Sequence, residues 1–201
     1  TKGRDRSFHF GSREHHIVGM ISHLGPQMAL ADGIALEGMR LVKQYLPRSY
    51  KDGDDLEARG YMLAAASMGS TAFQKGLGGI HSLSHSIGAI YNTHHGLTNA
   101  VFFPYVMDFN RTAIEEKMIR VSAYLGLKKF GFESVRDWIL ETRDFFGIPH
   151  SISEMDINEA DIDRIGVLSA ADPTASSNPI ELNEVAARQV FLKSLEGKID
   201  F

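Results

Sequence analysis

The sequence predicts an all-α fold. Apolar residues recur at intervals of three and four along nearly the whole chain, and hardly any segment alternates with period two for long enough to form a strand. Cap and stop residues punctuate the periodic runs at spacings suited to helices of ten to twenty residues. The expected architecture is a helical bundle built as one domain over residues 26–201. Residues 1–25 are left as a poorly predicted segment, in which Thr1 to His16 is polar, mixed in charge and without a clear apolar period.

The first helix begins near Pro26. Leu30, Ile34, Ala35, Leu41, Val42 and Tyr45 form its stripe, and Pro47 with Asp52-Gly53-Asp54 is expected to stop it. A second run from Asp55 to Phe73 places Met62, Ala66, Gly69 and Phe73 on one face. Ala64, Ala65, Ser67 and Ser70 keep the surrounding surface slim, which lets a neighbouring helix approach closely. Gly76-Leu77-Gly78-Gly79 breaks the pattern. It follows a helix rather than a strand, so it reads as a stop and close-packing element and not as a dinucleotide fingerprint. A short helix then carries His81 and His85. Asn92-Thr93 supplies cap-type residues for another helix starting near His94, which Pro104 should end or kink. Phe102, Phe103, Tyr105 and Phe109 read as core. Ile114, Met118, Val121 and Leu125 predict the next helix, with Gly126 as its stop. Val135, Trp138, Ile139 and Phe146 predict another, ending at Gly147-Ile148-Pro149. The last two are expected around Ala160–Ser169 and Asn183–Leu195, separated by a loop from Asp172-Pro173-Thr174 to Asn178-Pro179.

Composition narrows the function classes. A hydrophobic share of 43% with 23% charged residues is ordinary for a globular domain, and a net charge of -4 provides no basic field for nucleic acid. The absence of cysteine removes disulfides and thiolate chemistry, so any metal must be held by His, carboxylate or water. No window approaches the roughly 20 apolar residues of a membrane span, and the start lacks the apolar segment of a secretory signal. A cytoplasmic protein with neither a nucleic-acid nor a membrane partner is expected. The first residue is Thr1 rather than Met, which reads as a processed or truncated product.

His81 and His85 are four residues apart, on one side of a helix. The residue after His81 is Ser82, not the glutamate that an H-E-x-x-H zinc protease uses as its base. His95 lies fourteen residues beyond His81, at the predicted first turn of the next helix. Gly88 and Asn92-Thr93 allow the chain to reverse, so His81 and His95 can face one point from two helices. His94 is turned about 100° away from His95 around the helix, so the two are not expected to share an ion. Spacing alone fits a metal site, and it fits capping, surface or hydrogen-bonded core histidines as well.

Ala72-Phe73-Gln74-Lys75-Gly76-Leu77-Gly78-Gly79-Ile80-His81-Ser82-Leu83-Ser84-His85, followed by Gly88-Ala89, His95-Gly96, Asn99-Ala100 and Pro104, resembles the signature of iron-containing alcohol dehydrogenases. Ala31-Asp32-Gly33-Ile34-Ala35-Leu36-Glu37, Gly53-Asp54-Asp55-Leu56-Glu57-Ala58-Arg59, and Asp172-Pro173-Thr174 with Asn178-Pro179 resemble the family in the same order. The resemblance implies the C-terminal helical, metal-binding domain of an NAD(P)-dependent oxidoreductase acting on a small alcohol or aldehyde. It implies His81 and His95 as ligands to a divalent metal, iron or zinc. His85 is implied as the catalytic residue on the cofactor side, and Phe73 as a wall of the site.

The family's other two ligands are an Asp and a His four residues later. Ungapped counting puts them on Arg13 and Ile17, which cannot ligate. Asp5 and His9 reproduce the G-x-D-x-x-x-H spacing further upstream, and Glu14, His15, His16 and His23 are other donors. The family's N-terminal cofactor domain has no counterpart before the matching region. The chain alone is therefore expected to be incomplete as an enzyme, with NAD(P) bound only if a cofactor domain is supplied. The alternative is a non-catalytic truncated helical domain that keeps the fold without turnover. Homo-oligomerisation is left open.

Overall fold

The computed structural model describes residues 24–199. Among them are eight α-helices, short 3-10 turns and no strand, an all-α architecture. The helices are α1 (Leu24–Lys51), α2 (Leu56–Ala72), α3 (Gly78–Tyr91), α4 (His95–Phe109), α5 (Arg111–Tyr124), α6 (Phe132–Phe146), α7 (Ile162–Ala171) and α8 (Glu184–Glu196). Within the stretch read from sequence as one helical domain, they gather into two compact units that divide between Lys75 and Gly76.

The first unit is a pair of helices, α1 and α2, followed by a 3-10 turn at Phe73–Lys75. Leu41, Tyr45, Ala58 and Ala65 are buried between the two helices, with Val42, Met62 and Met68 packed around them. The buried face of α2 differs from the expected one: Ala58 and Ala65 are buried, whereas Ala66 and Phe73 are exposed, and a Cβ added at Gly38 would stand 3.5 Å from the Cβ of Met68. Asp55 caps α2 by accepting from the Ala58 N–H at 3.0 Å. Helix α1 does not stop at Pro47 but continues to Lys51. Proline removes one hydrogen bond there. The turn around it is held by other contacts, with Tyr45 stacked on Tyr61 at 4.1 Å and Arg48 paired with Asp55 at 2.8 Å and Glu57 at 2.7 Å.

The second unit contains α3 to α8. Its core joins Leu83 and Ile87 of α3, Val101, Phe102, Tyr105 and Val106 of α4, Ile165 of α7, and Ala187, Val190 and Phe191 of α8. Fully burying side chains of this size contributes about 1.5–3 kcal/mol each. That scale explains why α4 runs through Pro104 to Phe109 instead of ending there. Phe102, Tyr105 and Val106 flank the proline at 0%, 0% and 2% exposure, and their burial outweighs one lost backbone bond. Phe103 departs from the core expectation at 37% exposure, because it faces out of the same helix.

Polar groups fix the register of this core. The N–H groups of Gly78 and Gly79 at the start of α3 donate to Ser177 Oγ and Asn178 Oδ1, both at 3.0 Å. Asn178 and Asn110 form a reciprocal amide pair at 2.9 and 2.8 Å, and Asn178 Nδ2 also donates to the Ile180 carbonyl at 2.7 Å. The glycine run is a seat for this loop. Gly76 has φ +103°, and a Cβ there would meet Ser177 Cβ at 2.3 Å. Deeper in the unit, Ser82 Oγ donates to the Ser169 carbonyl at 2.6 Å, and Ser169 Oγ donates to Ser86 Oγ at 2.9 Å. All three serines are buried.

Candidate functional site

Helix α3 ends at Asn92, whose left-handed φ of 53° turns the chain back toward α4. The cap of α4 is His94 rather than Asn92 or Thr93: its Nδ1 accepts from the Leu97 N–H at 3.2 Å. This explains physically why His94 and His95 point apart. The imidazole of His94 is turned onto its own helix end, and His95 is the first helical residue.

The reversal brings His81, His85 and His95 together. Ring centroids are 5.2 Å apart for His81 and His95, 5.3 Å for His85 and His95, and 5.9 Å for His81 and His85. His85 and His95 lie nearly parallel, with 16° between their planes. Asn99, one turn beyond His95 on α4, presents its amide nitrogen to both flanking rings. It lies 3.0 Å from His95 Nε2 and 3.3 Å from His81 Nε2. The Nε2 atoms of His81 and His95 thus face one point, occupied by the Asn99 amide nitrogen. The Asn99 carbonyl oxygen is buried and has no hydrogen-bond partner among the described residues.

Burial holds the His81 pKa below the ordinary value of 6.5, and the His95 and His85 rings push it the same way. A hydrogen bond to the Leu77 backbone and the charge of Asp172 oppose the shift. The net result favours the neutral ring, the only form that can ligate a metal.

His85 has a different environment. Its Nδ1 lies 2.9 Å from Asp172 Oδ2. The other carboxylate oxygen of Asp172 accepts from the Thr174 backbone N–H at 2.8 Å and from its hydroxyl at 2.5 Å. Burial alone would raise the Asp172 pKa, but the Thr174 bonds and His85 together hold it below the ordinary carboxylate value of 3.8. Asp172 also lines a cleft of about 720 Å³ with Pro173, Ser176, Glu181 and Glu184. None of the three histidines lines that cleft.

Two residues at this site escape a search for ligands and bases. Asn99 stands in the stretch that resembles the family, four residues after His95 on the same helix face, but as an amide it is singled out neither as a ligand nor as a base. Asp172 is signalled by the Asp-Pro-Thr pattern of a capped turn, which gives no hint of a histidine 87 residues away. Asp5, His9, Glu14, His15, His16 and His23 lie outside the described residues. Among the described residues, no group of three or more His, Cys, Asp or Glu side chains is arranged to hold a metal ion. His81 and His95 are two nitrogen donors, fewer than such a group needs. Among the described residues, no helix is long and apolar enough to cross a membrane.

Comparison with known proteins shows the family of the chain. The family model described as "Fe-containing alcohol dehydrogenase family, C-terminal" matches residues 25–195. The chain is 34% identical over 157 residues to the NAD-dependent methanol dehydrogenase of Bacillus methanolicus, covering 75% of this chain and 41% of that protein. It is 32% identical over 178 residues to the 4-hydroxybutyrate dehydrogenase of Cupriavidus necator, covering 82% of this chain and 45% of that protein. The crystal structure of a 1,3-propanediol oxidoreductase superposes with a TM-score of 0.78 at 27% identity, over 83% of this chain and 45% of that one. An iron-containing alcohol dehydrogenase from Thermococcus thioreducens gives a TM-score of 0.75 at 27% identity, over 84% and 45%. The chain thus spans less than half the length of these relatives, and what it spans is their helical part. The chain belongs to the iron-containing alcohol dehydrogenase family, of which it is the C-terminal helical domain.

Proposed function

We propose that this chain supplies the alcohol-activating half of an NAD(P)-linked oxidoreductase acting on a small alcohol or the matching aldehyde. The observation that carries this reading is the convergence of His81 and His95 Nε2 on the Asn99 amide. The relatives named for methanol and 4-hydroxybutyrate dehydrogenation support the substrate class. His81 and His95 are the residues that would hold a divalent iron or zinc. When bound, the metal supplies Lewis acidity at the alcohol oxygen and the nicotinamide accepts the hydride.

The chain's own residues do the rest. The burial that keeps His81 neutral leaves its lone pair available near neutral pH. His85, with its ring 41% exposed beside the two ligand histidines, receives the hydroxyl proton and passes it to solvent. The residues that complete the ligand set and the cofactor site lie outside the described part of this chain or on a partner segment.

Elemental analysis of the whole purified chain tests the assignment. Iron or zinc is expected in the wild type, with strong loss in His81→Ala and in His95→Ala. Equal metal content in the wild type and both variants would refute the ligand assignment and favour a helical domain without turnover. Tight NAD(H) binding by this chain alone would overturn the view that it is half of the enzyme.

A further inference from the structure

We infer that Asp172 is a positioning residue that fixes the tautomer and the ring plane of His85, so that the Nδ1 proton is committed to the carboxylate and Nε2 is the nitrogen left to accept. This rests on the proposed role of His85 as proton acceptor, and it says which of the two ring nitrogens does the accepting. Nothing in the resemblance to known relatives assigns it.

Three observations carry the inference. The first is the contact itself, Asp172 Oδ2 to His85 Nδ1 at 2.9 Å. A carboxylate can only accept, so the Nδ1 beside it carries the hydrogen. The second is that Asp172 cannot easily swing away. Its Oδ1 is held by the Thr174 N–H and hydroxyl, Pro173 follows as the first residue of the 3-10 turn, and the side chain is 14% exposed against 41% for His85. The fixed partner therefore orients the freer one.

The third is the buried serine ladder. Ser82 and Ser86 flank His85 on α3, and both bond to Ser169, which sits three residues before Asp172 at the end of α7. Three polar side chains buried to 0%, 3% and 0% exposure set the register between the two helices. That register delivers Asp172 to His85 across 87 residues of sequence. An ordinary exposed histidine-carboxylate pair contributes about 0–1 kcal/mol and does not need such a frame.

Asp172→Asn is the informative substitution. Asparagine keeps an oxygen for the Thr174 cap, so the turn survives, but it can offer an N–H donor to His85 Nδ1 and thereby favour the opposite tautomer. The readout is ring-nitrogen NMR of the whole chain, isotope-labelled at histidine, metal-free and well above the ordinary histidine pKa. The His85 signals are identified by their loss in His85→Gln.

In the wild type the neutral ring is expected as the Nδ1–H form, and in Asp172→Asn the Nε2–H form is expected to dominate. Ser169→Ala, which leaves Asp172 itself unchanged, is expected to mix the two tautomers. An Nε2–H tautomer in the wild type, or no change in Asp172→Asn, would overturn the inference, and the wild-type measurement decides even if a variant fails to fold. Because the readout needs neither metal nor turnover, it separates from the proton-acceptor reading. Full activity of His85→Gln once the missing parts are supplied would refute that reading and leave the tautomer result standing.

Discussion

Removing the Asn178 side chain should unfasten the start of α3, and the structure allows the cost to be estimated. Asn178 makes four hydrogen bonds: it accepts from Gly79 N and Asn110 Nδ2, and it donates to Asn110 Oδ1 and the Ile180 carbonyl. Asn178→Ala breaks all of them. Asn110 is 6% exposed and Gly79 is buried, so water does not readily replace the lost partners, whereas Ile180 is half-buried and can recover one. A buried polar group left unpaired costs about 1–3 kcal/mol, and the lower end applied to three groups gives roughly 3–4 kcal/mol. Asn110→Ala loses only the two bonds of the amide pair and should cost about 1–2 kcal/mol. The double variant loses the pair only once, so the two effects should couple by about 1.5–2 kcal/mol. Urea unfolding followed by the fluorescence of Trp138 measures this. It is the only tryptophan, and it sits on α6 in the same unit. Strict additivity within about 0.5 kcal/mol would refute the reasoning, because it would mean that the two amides do not depend on each other.

Other features of the structure have measurable consequences. Gly76→Ala should destabilise the second unit by about 2–4 kcal/mol, since a side chain at φ +103° would also stand 2.3 Å from Ser177 Cβ; an unchanged unfolding midpoint contradicts this. Phe191→Ala, emptying a site of 0% exposure, should cost about 3–5 kcal/mol in the same assay. The folded pKa of His81 is depressed, so the unfolded chain takes up that proton first. Stability contributed by the neutral ring is full above 6.5 and is lost as pH falls below it toward the folded value. His81→Gln should flatten that part of the stability profile, and an identical profile would exclude His81 as its source. Asn99→Asp places carboxylate oxygen where the amide now meets two imidazoles, and zinc affinity by calorimetry should rise by about tenfold, equivalent to roughly 1.4 kcal/mol. Unchanged affinity would show that the two Nε2 atoms do not converge on a metal position.

Most helices were legible in the sequence because their stripes follow burial, α2 excepted, and Asp55, Gly147 and Asn183, read as the bounds of periodic runs, stand at helix ends as caps. The first run ends before Asp52-Gly53-Asp54 as expected, but neither Pro47 nor Pro104 itself ends its helix, for a definite reason. Pro47 and Pro104 lie in helices whose flanking residues are held by tertiary contacts, and propensity cannot weigh those contacts. The histidine trio was legible because its members fall within fifteen residues on adjoining helices. Asp172 was not, because its meeting with His85 depends on three buried serines whose hydroxyls look, in sequence, like ordinary small residues.

His81, His85, His95 and Asn99 all belong to one helix-turn-helix segment, so the proposed metal donors become neighbours as soon as α3 and α4 fold against each other. Contacts this short-range form early, because little chain entropy is lost in closing them. Asp172 arrives only when α7 docks, after a far larger loop has closed. Contact order thus predicts that the site assembles in two stages. An ion could meet its donors in a chain that is still folding, while the orientation of His85 is delayed until the unit is complete, which separates the moment of loading from the moment of competence.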